Sequence, residues 1–491
     1  MQIYNTASKE KEEFKPLKQN ITKVYYCGPT PYNYAHIGNL KCYVGNDVVV
    51  RTLKFLWYPV TTAMNITDID DKSIRDSVAA EKSLLEFTKY YTEAFMQDIE
   101  KLSILPADKI DPISNLIPEM VRMINTLLRR WHAYISDDGS VYFKVKSFKK
   151  YGKLAHLDME WMQDWVRINN DEYEKDNVWD FALWKAWDES DWENFWEWEF
   201  IVPSEAKGWK ETVASLKGRP GWHIECSACA MKHLGPEIDL HMWGIDLLFP
   251  HHQNEVAQTE CCTRKTFSKY WAHHGHLTID GAKMAKSKNN FYTLRDVEKK
   301  FSSIQKSLLY RAVRLCFMNG KYRDNIDFSF DKIEANFNAL KGIDQTLKNL
   351  KNYSTDLTGV SKEFSEYMQE TIGMFQEALE DDFAIPEALA TMFAFQKFVN
   401  SNISEWLLSS EEVLSVIDMY KTFDSVFAIV DFSILEESSE SIPETIIEKF
   451  EKRNIAKKEK NFQQADTLRG EILELGYKIV DDRQWSRLEK L

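Results

Sequence analysis

The 491-residue chain has no uninterrupted apolar run of about 18 residues, so no membrane-spanning helix is expected. Its opening stretch, MQIYNTASKEKEEFK, lacks the apolar core of a secretory signal, and the cytoplasm is the expected compartment. Cysteine is sparse. The seven present are odd in number and lack the spacings of a small disulfide scaffold, so they are read as thiols in a reducing compartment. No internal repeat occurs. Positive charge is in deficit too: a net charge of −14 argues against strong non-specific binding to nucleic acid. It leaves room for a partner recognised through a local basic surface. KRNIAKKEKNFQQADTLR (452–469) is the candidate, with five Lys or Arg in its first nine residues; a solvated helix face is the competing reading.

What is present is a soluble globular composition, 44% hydrophobic and 28% charged, in a chain long enough for three or more structural units. ITKVYYCGPT reads as a buried strand ending in turn residues, HIGNLKCYVGNDVVVRTLKFLW as a helix, and YPVTTAMNITDIDDK as a second strand. Strand, loop, helix and strand form the parallel-sheet unit, whose ligands sit at the carboxyl ends of the strands, where Cys27 and the NITDID loop fall. A Trp- and acid-rich stretch, VWDFALWKAWDESDWENFWEWEF, reads as the amphipathic packing surface of an insertion. A second α/β stretch follows. From about residue 326 the apolar pattern turns helical, and ILEESSESIPET marks a break before a short basic end.

Three constellations carry chemistry. GRPGWHIECSACA (218–230) contains the C-x-x-C pair Cys226 and Cys229, open to reading as metal site, redox pair or chance. In LFPHHQNEVAQTECC, Pro250 suits the first turn of a helix, and His251 and Glu255 stand four apart on one face. An imidazole and a carboxylate so placed can share a divalent metal that two thiolates would complete. TPYNYAHIGN puts His36 at a helix start, where backbone N–H groups favour phosphate. KMAKS puts Lys283 and Lys286 in a polar loop suited to gripping charge that develops in phosphoryl chemistry.

His-Ile-Gly-Asn and Lys-Met-Ala-Lys-Ser, an α/β half beside each, resemble the signatures of the class I aminoacyl-tRNA synthetases. Within that class the chain resembles the cysteinyl-tRNA synthetases. The matching stretches are CGPT (27–30), HIGN (36–39), NITDIDDK (65–72), DFALWK (180–185), GRPGWHIECSA (218–228), FPHHQNE (249–255) and KMAKS (283–287), with DDFAIPEALA and ADTLRGEILELGYKIVDD beyond.

The resemblance implies a zinc held by Cys27, Cys226, His251 and Glu255, with Cys229 a buried bystander, like Cys42, Cys261, Cys262 and Cys316. It implies cysteine contacts at Gly28, Thr30, Thr67, Trp222 and Asp246. The ATP site, with magnesium accompanying the nucleotide, would be His36, Asn39, Gly244, Lys283 and Lys286. His36, Lys283 and Lys286 are expected to be catalytic. The implied fold is a Rossmann-like parallel-sheet catalytic domain (1–125 and 216–280) split by a connective insertion (126–215). A KMSKS-type loop and stem-contact region (281–325), a helical anticodon-binding bundle (326–440) and a small basic tRNA-binding unit (441–491) follow. The implied activity is ATP-dependent activation of L-cysteine and its transfer to tRNA(Cys), by a monomer.

Asn39 in place of a second histidine, Ala285 in place of a serine, and HMWG (241–244) in place of a glycine-rich stretch depart from the family pattern. The alternatives are a cysteine ligase acting on an amino sugar, as in mycothiol synthesis, and a non-catalytic zinc-dependent RNA-binding protein. The first lacks a full anticodon-binding end, and the second has no need of His36 or Lys286.

Overall fold

The computed structural model describes residues 1–157, 179–202, 212–279, 281–283, 290–436, 443–481 and 486–490. They form two compact units, 1–430 and 431–491.

The first unit is organised by a five-stranded sheet: β1 (Thr22–Tyr26), β2 (Val60–Ile66), β3 (Lys109–Pro112), β4 (Ile238–Gly244) and β5 (Ser268–His274). Every pairing is parallel, and the order is β5-β4-β1-β2-β3. The chain builds outward from β1 to β3, then returns to the other side of β1 to place β4. The switch point therefore lies between β1 and β4, and its crevice opens at their carboxyl ends, beside Cys27 and Gly244. Helix α1 (Ile37–Phe55) links β1 to β2 and is buried around most of its girth. Arg314, fully buried on Lys306–Met318, reaches the Asp47 carboxylate of this helix and donates to the carbonyls of Leu102 and Phe427. A buried guanidinium is tolerated because each of its three nitrogens meets an acceptor, one of them a carboxylate.

Between β3 and β4 the chain inserts an antiparallel sheet of strands 133–135, 141–143, 181–186, 212–220 and 196–202, in that spatial order. Its Trp-rich residues divide: Trp184 is fully buried in this sheet, whereas Trp192 is 60% exposed. The helix Ile117–Arg129 and the strand Thr212–Pro220 run through residues 125/126 and 215/216, the bounds expected for the insertion. That strand passes through Gly221 straight into helix α2 (Trp222–Leu234). A Cβ on Gly221 would meet the Ala182 carbonyl oxygen at 2.1 Å, so only glycine allows the strand and helix to join so closely.

Beyond residue 329, four long helices, Phe330–Lys351, Lys362–Glu380, Ile385–Ser404 and Ser410–Phe427, pack around Leu340, Phe375, Phe395, Tyr420 and Phe423. Ser329, Ser361 and Ser409 each cap a helix start by accepting a backbone N–H from three residues on. The second unit pairs the helices Glu444–Lys458 and Phe462–Glu474 with the hairpin Tyr477–Asp481/Ser486–Lys490 over Ile446, Ile472, Tyr477 and Ile479. Of the basic run, Lys452, Lys457, Lys458 and Lys460 face solvent. Arg453 is buried and donates to Ser486 Oγ. No helix among the described residues is long and apolar enough to cross a membrane.

Candidate metal centre and nucleotide crevice

Four segments converge at the switch point. Cys27 follows β1 directly. Cys226 lies on α2, one turn from its start. His251 sits in the turn Leu248–His252 that leads into helix α3 (Gln253–Thr263), and Glu255 lies in the first turn of α3. Pro250 stands in the first helical turn, as its type suggests: Phe249 has the extended backbone of a helix cap, residues 250–252 have helical backbone, and the regular α-helix runs on from Gln253. His251 and Glu255 meet across one turn, with Nε2 3.0 Å from Oε1.

All four side chains are buried, and their donor atoms lie within 4.8 Å of one another. Cys27 and Cys226 sulfurs are 3.7 Å apart, and His251 Nε2 is 3.4 Å from Cys226 Sγ. Two thiolates on one tetrahedral zinc at about 2.3 Å stand roughly 3.8 Å apart, and a thiolate and an imidazole nitrogen roughly 3.5 Å. The donor set fits zinc in both spacing and softness.

The electrostatics agree. Burial opposes ionisation of Cys226, but hydrogen bonding to Cys27 and the charge on His251 bring it down to about 6. Burial likewise disfavours His251 as a cation, yet Cys226 and Glu255 raise it to about 10. Burial works against the Glu255 carboxylate, which His241 and His251 hold below its usual range. The Cys27 thiol is pushed well up by burial and by the neighbouring sulfur. These shifts favour charge on Cys226, His251 and Glu255 and a proton on Cys27, and a divalent cation that takes the cluster as ligands displaces protons as it binds.

A second set, Cys27, His241, His252 and Glu255, meets the same proximity test. Its two imidazoles are better read as supports. His241 Nε2 stands 3.0 Å from Glu255 Oε2, and only the ring nitrogen can donate to a carboxylate. His252 Nε2 lies 3.6 Å from Cys27 Sγ, while its Nδ1 is 2.8 Å from His273 Nε2 and His273 Nδ1 is 2.8 Å from Thr6 Oγ1. Burial holds His252 and His273 neutral, His273 down to about 3. One assignment of tautomers then runs from the Thr6 hydroxyl to His273, to His252, and to the sulfur. His223 supports the first set in turn. Its Nδ1 is 2.9 Å from His251 Nδ1, and burial together with the charge on His251 keeps it neutral and hence an acceptor. Such outer partners fix the orientation and tautomer of ligating imidazoles. None of His223, His241, His252 or His273 stood out in the sequence. The HH doublets at 251–252 and 273–274 were the available signal.

Around this cluster, Trp222 packs on the His251 ring with centroids 4.4 Å apart. Thr67 is buried beside Glu225, and Gly28 contacts Asn65. Thr30 lies in the loop after Cys27. Cys229 is fully buried on α2, its thiol pushed up by burial.

A cavity beside the cluster is lined by His36, Asn39, Trp243, Gly244, Asp246 and His276, among others. His36 caps α1, and its Nδ1 accepts the Asn39 N–H at 3.1 Å, which leaves the ring proton on Nε2. A Cβ on Gly244 would fall 2.4 Å from Asp246 Oδ1. Trp243 packs edge-on against Tyr43 at 4.7 Å and so contributes to the cavity wall, whereas Met242 is buried in β4. Asp246 bridges the two places, lining this cavity while its charge is also felt at Cys27. The backbone of Lys283 pairs with the strand Leu277–Ile279; its side chain, and Lys286 with the rest of KMAKS, lie outside the described residues.

Residues 13–338 match the family described as tRNA synthetases class I (C) catalytic domain, and residues 374–431 match the DALR domain. A cysteine–tRNA ligase of Protochlamydia amoebophila is 39% identical over 494 residues, covering 100% of this chain and 98% of the relative. One from Brachyspira hyodysenteriae is 38% identical over 492 residues, covering 99% of each. Among solved structures, a Mycobacterium tuberculosis methionyl-tRNA synthetase with methionyl-adenylate shares 14% identity at a TM-score of 0.55, covering 83% of this chain and 89% of that one. The Agrobacterium radiobacter LeuRS ternary complex shares 10% at 0.57, covering 87% and 86%. The structural likeness shows the parallel-sheet fold and its helical continuation, the catalytic-domain match spans most of the chain, and the full-length relatives fix the branch: the chain belongs to the cysteine–tRNA ligase family of class I aminoacyl-tRNA synthetases.

Proposed function

We propose that this cysteine–tRNA ligase selects its amino acid at the Cys27–Cys226–His251–Glu255 cluster and activates it in the adjoining crevice lined by His36. The convergence of two sulfurs 3.7 Å apart from positions 27 and 226 with the His251–Glu255 pair is the observation that carries the reading. When bound there, zinc supplies a soft Lewis acid that favours a thiolate over a hydroxyl and lowers the thiol pKa.

The chain's own residues do the rest. Thr67 and Gly28 receive the amino group, Trp222 shields the sulfur side, and Asp246 stands between the cluster and the crevice. His36, with its proton on Nε2, donates to a phosphate of ATP delivered with magnesium, and Asn39 and Gly244 shape the nucleotide wall. Lys283 and Lys286 grip the charge that grows as the cysteine carboxylate attacks the α-phosphate. The helical bundle and the basic carboxyl-terminal unit engage tRNA(Cys).

All seven cysteines are unpaired, which suits a reducing cytoplasm. The amino-sugar ligase reading is disfavoured by the DALR match and by relatives that run the full length of the chain. Cysteine-dependent ATP–pyrophosphate exchange, run beside charging of bulk tRNA with cysteine or serine, tests the reading. Both activities with cysteine and neither with serine are expected. Exchange without any tRNA charging would overturn it.

A further inference from the structure

A hydroxyl has one proton and two lone pairs to share. Thr67 Oγ1 accepts from Asn65 Nδ2 at 2.9 Å and donates to Glu225 Oε2 at 3.0 Å. One lone pair remains, so Thr67 offers the pocket an acceptor, the partner an ammonium group needs. The oxygen of the same Asn65 carboxamide accepts from Gly28 N at 2.9 Å and from the Tyr25 hydroxyl at 3.0 Å. It also lies 3.6 Å from Cys226 Sγ. Asn65 is 1% exposed, on β2, and Gly28 directly follows Cys27. A Cβ on Gly28 would fall 1.5 Å from the Asn65 carbonyl oxygen, so the two backbones are already in contact.

We propose that Asn65 is a positioning residue that fixes the distance between the sulfur-binding cluster and the ammonium acceptor, and thereby the length of amino thiol the site accepts. Its oxygen clamps the backbone beside Cys27, and its nitrogen clamps the Thr67 hydroxyl. The proposal rests on the preceding reading that Thr67 receives the amino group and the cluster takes the sulfur. In cysteine those two groups are separated by three bonds, and one torsion sets their distance. Homocysteine, one methylene longer, spans more than a rigid gap allows. One methylene in a fixed pocket is worth about 10- to 200-fold in discrimination.

The test uses the full chain with cobalt in place of zinc, titrated with each thiol while the sulfur-to-metal charge-transfer band is followed. Asn65→Ala is expected to keep one cobalt per chain and to raise the cysteine midpoint at least tenfold. The homocysteine-to-cysteine midpoint ratio should fall at least fivefold, a change that general loosening of the site, which weakens both thiols alike, does not produce. In a Thr67→Val background the Asn65→Ala penalty should shrink to under a third, because the residue acts through Thr67. Should Asn65→Ala fail to hold cobalt, Asn65→Asp, which keeps the acceptor bonds and loses the donor to Thr67, is titrated against the same criteria. A cysteine midpoint within twofold of the parent, or an unchanged ratio, overturns the proposal alone. A parent spectrum indifferent to cysteine overturns the site reading, and the proposal with it.

Discussion

His223 provides a sharp test of how the cluster is held together. His251 directs Nε2 towards Cys226 and Glu255, and its other nitrogen meets His223 Nδ1 at 2.9 Å in a buried setting. His223 is neutral there, so it accepts the His251 N–H and locks both ring orientation and tautomer. Replacing it by phenylalanine keeps the ring volume and removes the acceptor. The stranded buried N–H then costs about 1–3 kcal/mol, and loss of an outer-shell partner lowers metal affinity by about 10- to 100-fold. The two estimates agree, since tenfold is about 1.4 kcal/mol. His223→Gln restores an acceptor and should recover most of the loss. The assay is competition for zinc between stripped protein and a fluorescent chelator at neutral pH. Parent-like affinity in His223→Phe would refute the reasoning, because His251 would then be held without this bond or would not be a ligand.

Cys226→Ser and His251→Ala should each reduce zinc content below one per chain and raise the KM for cysteine by more than tenfold. Cys229→Ser, one turn further along the same helix, should leave both within twofold. Charge reversal of the exposed Lys452, Lys457, Lys458 and Lys460 to Glu should weaken tRNA charging at limiting tRNA by tenfold or more, with exchange within twofold. Arg453 is left intact because it is buried in the core of that unit. Unchanged charging kinetics would reduce the basic run to a solvated helix face.

How much of this was legible in the chain depends on the range of each signal. The β1–α1–β2 unit could be read because strand, turn and helix patterns are local, and β1, α1 and β2 lie within the stretches so read. His251 and Glu255 were legible as a pair for the same reason. Cys27 with Cys226 was not: no periodicity links residues 199 apart, and only resemblance joined them. His223 and His241 carry no sequence signal because a single buried imidazole has no pattern of its own, and His252 and His273 show only as members of the HH doublets. In sequence Asn65 is one polar residue at a strand end; its role emerges only when β1, β2 and α2 meet. The turn into α3 was legible because Pro250 suits a first helical turn, and helical backbone follows the extended Phe249 directly.

The central claim is that the cluster formed by Cys27, Cys226, His251 and Glu255 receives the sulfur of the substrate. Zinc-edge X-ray absorption of the zinc-loaded full chain counts sulfur neighbours directly. The account predicts two sulfurs in the absence of amino acid, three with cysteine, and two with serine. Two sulfurs with cysteine as with serine would contradict it.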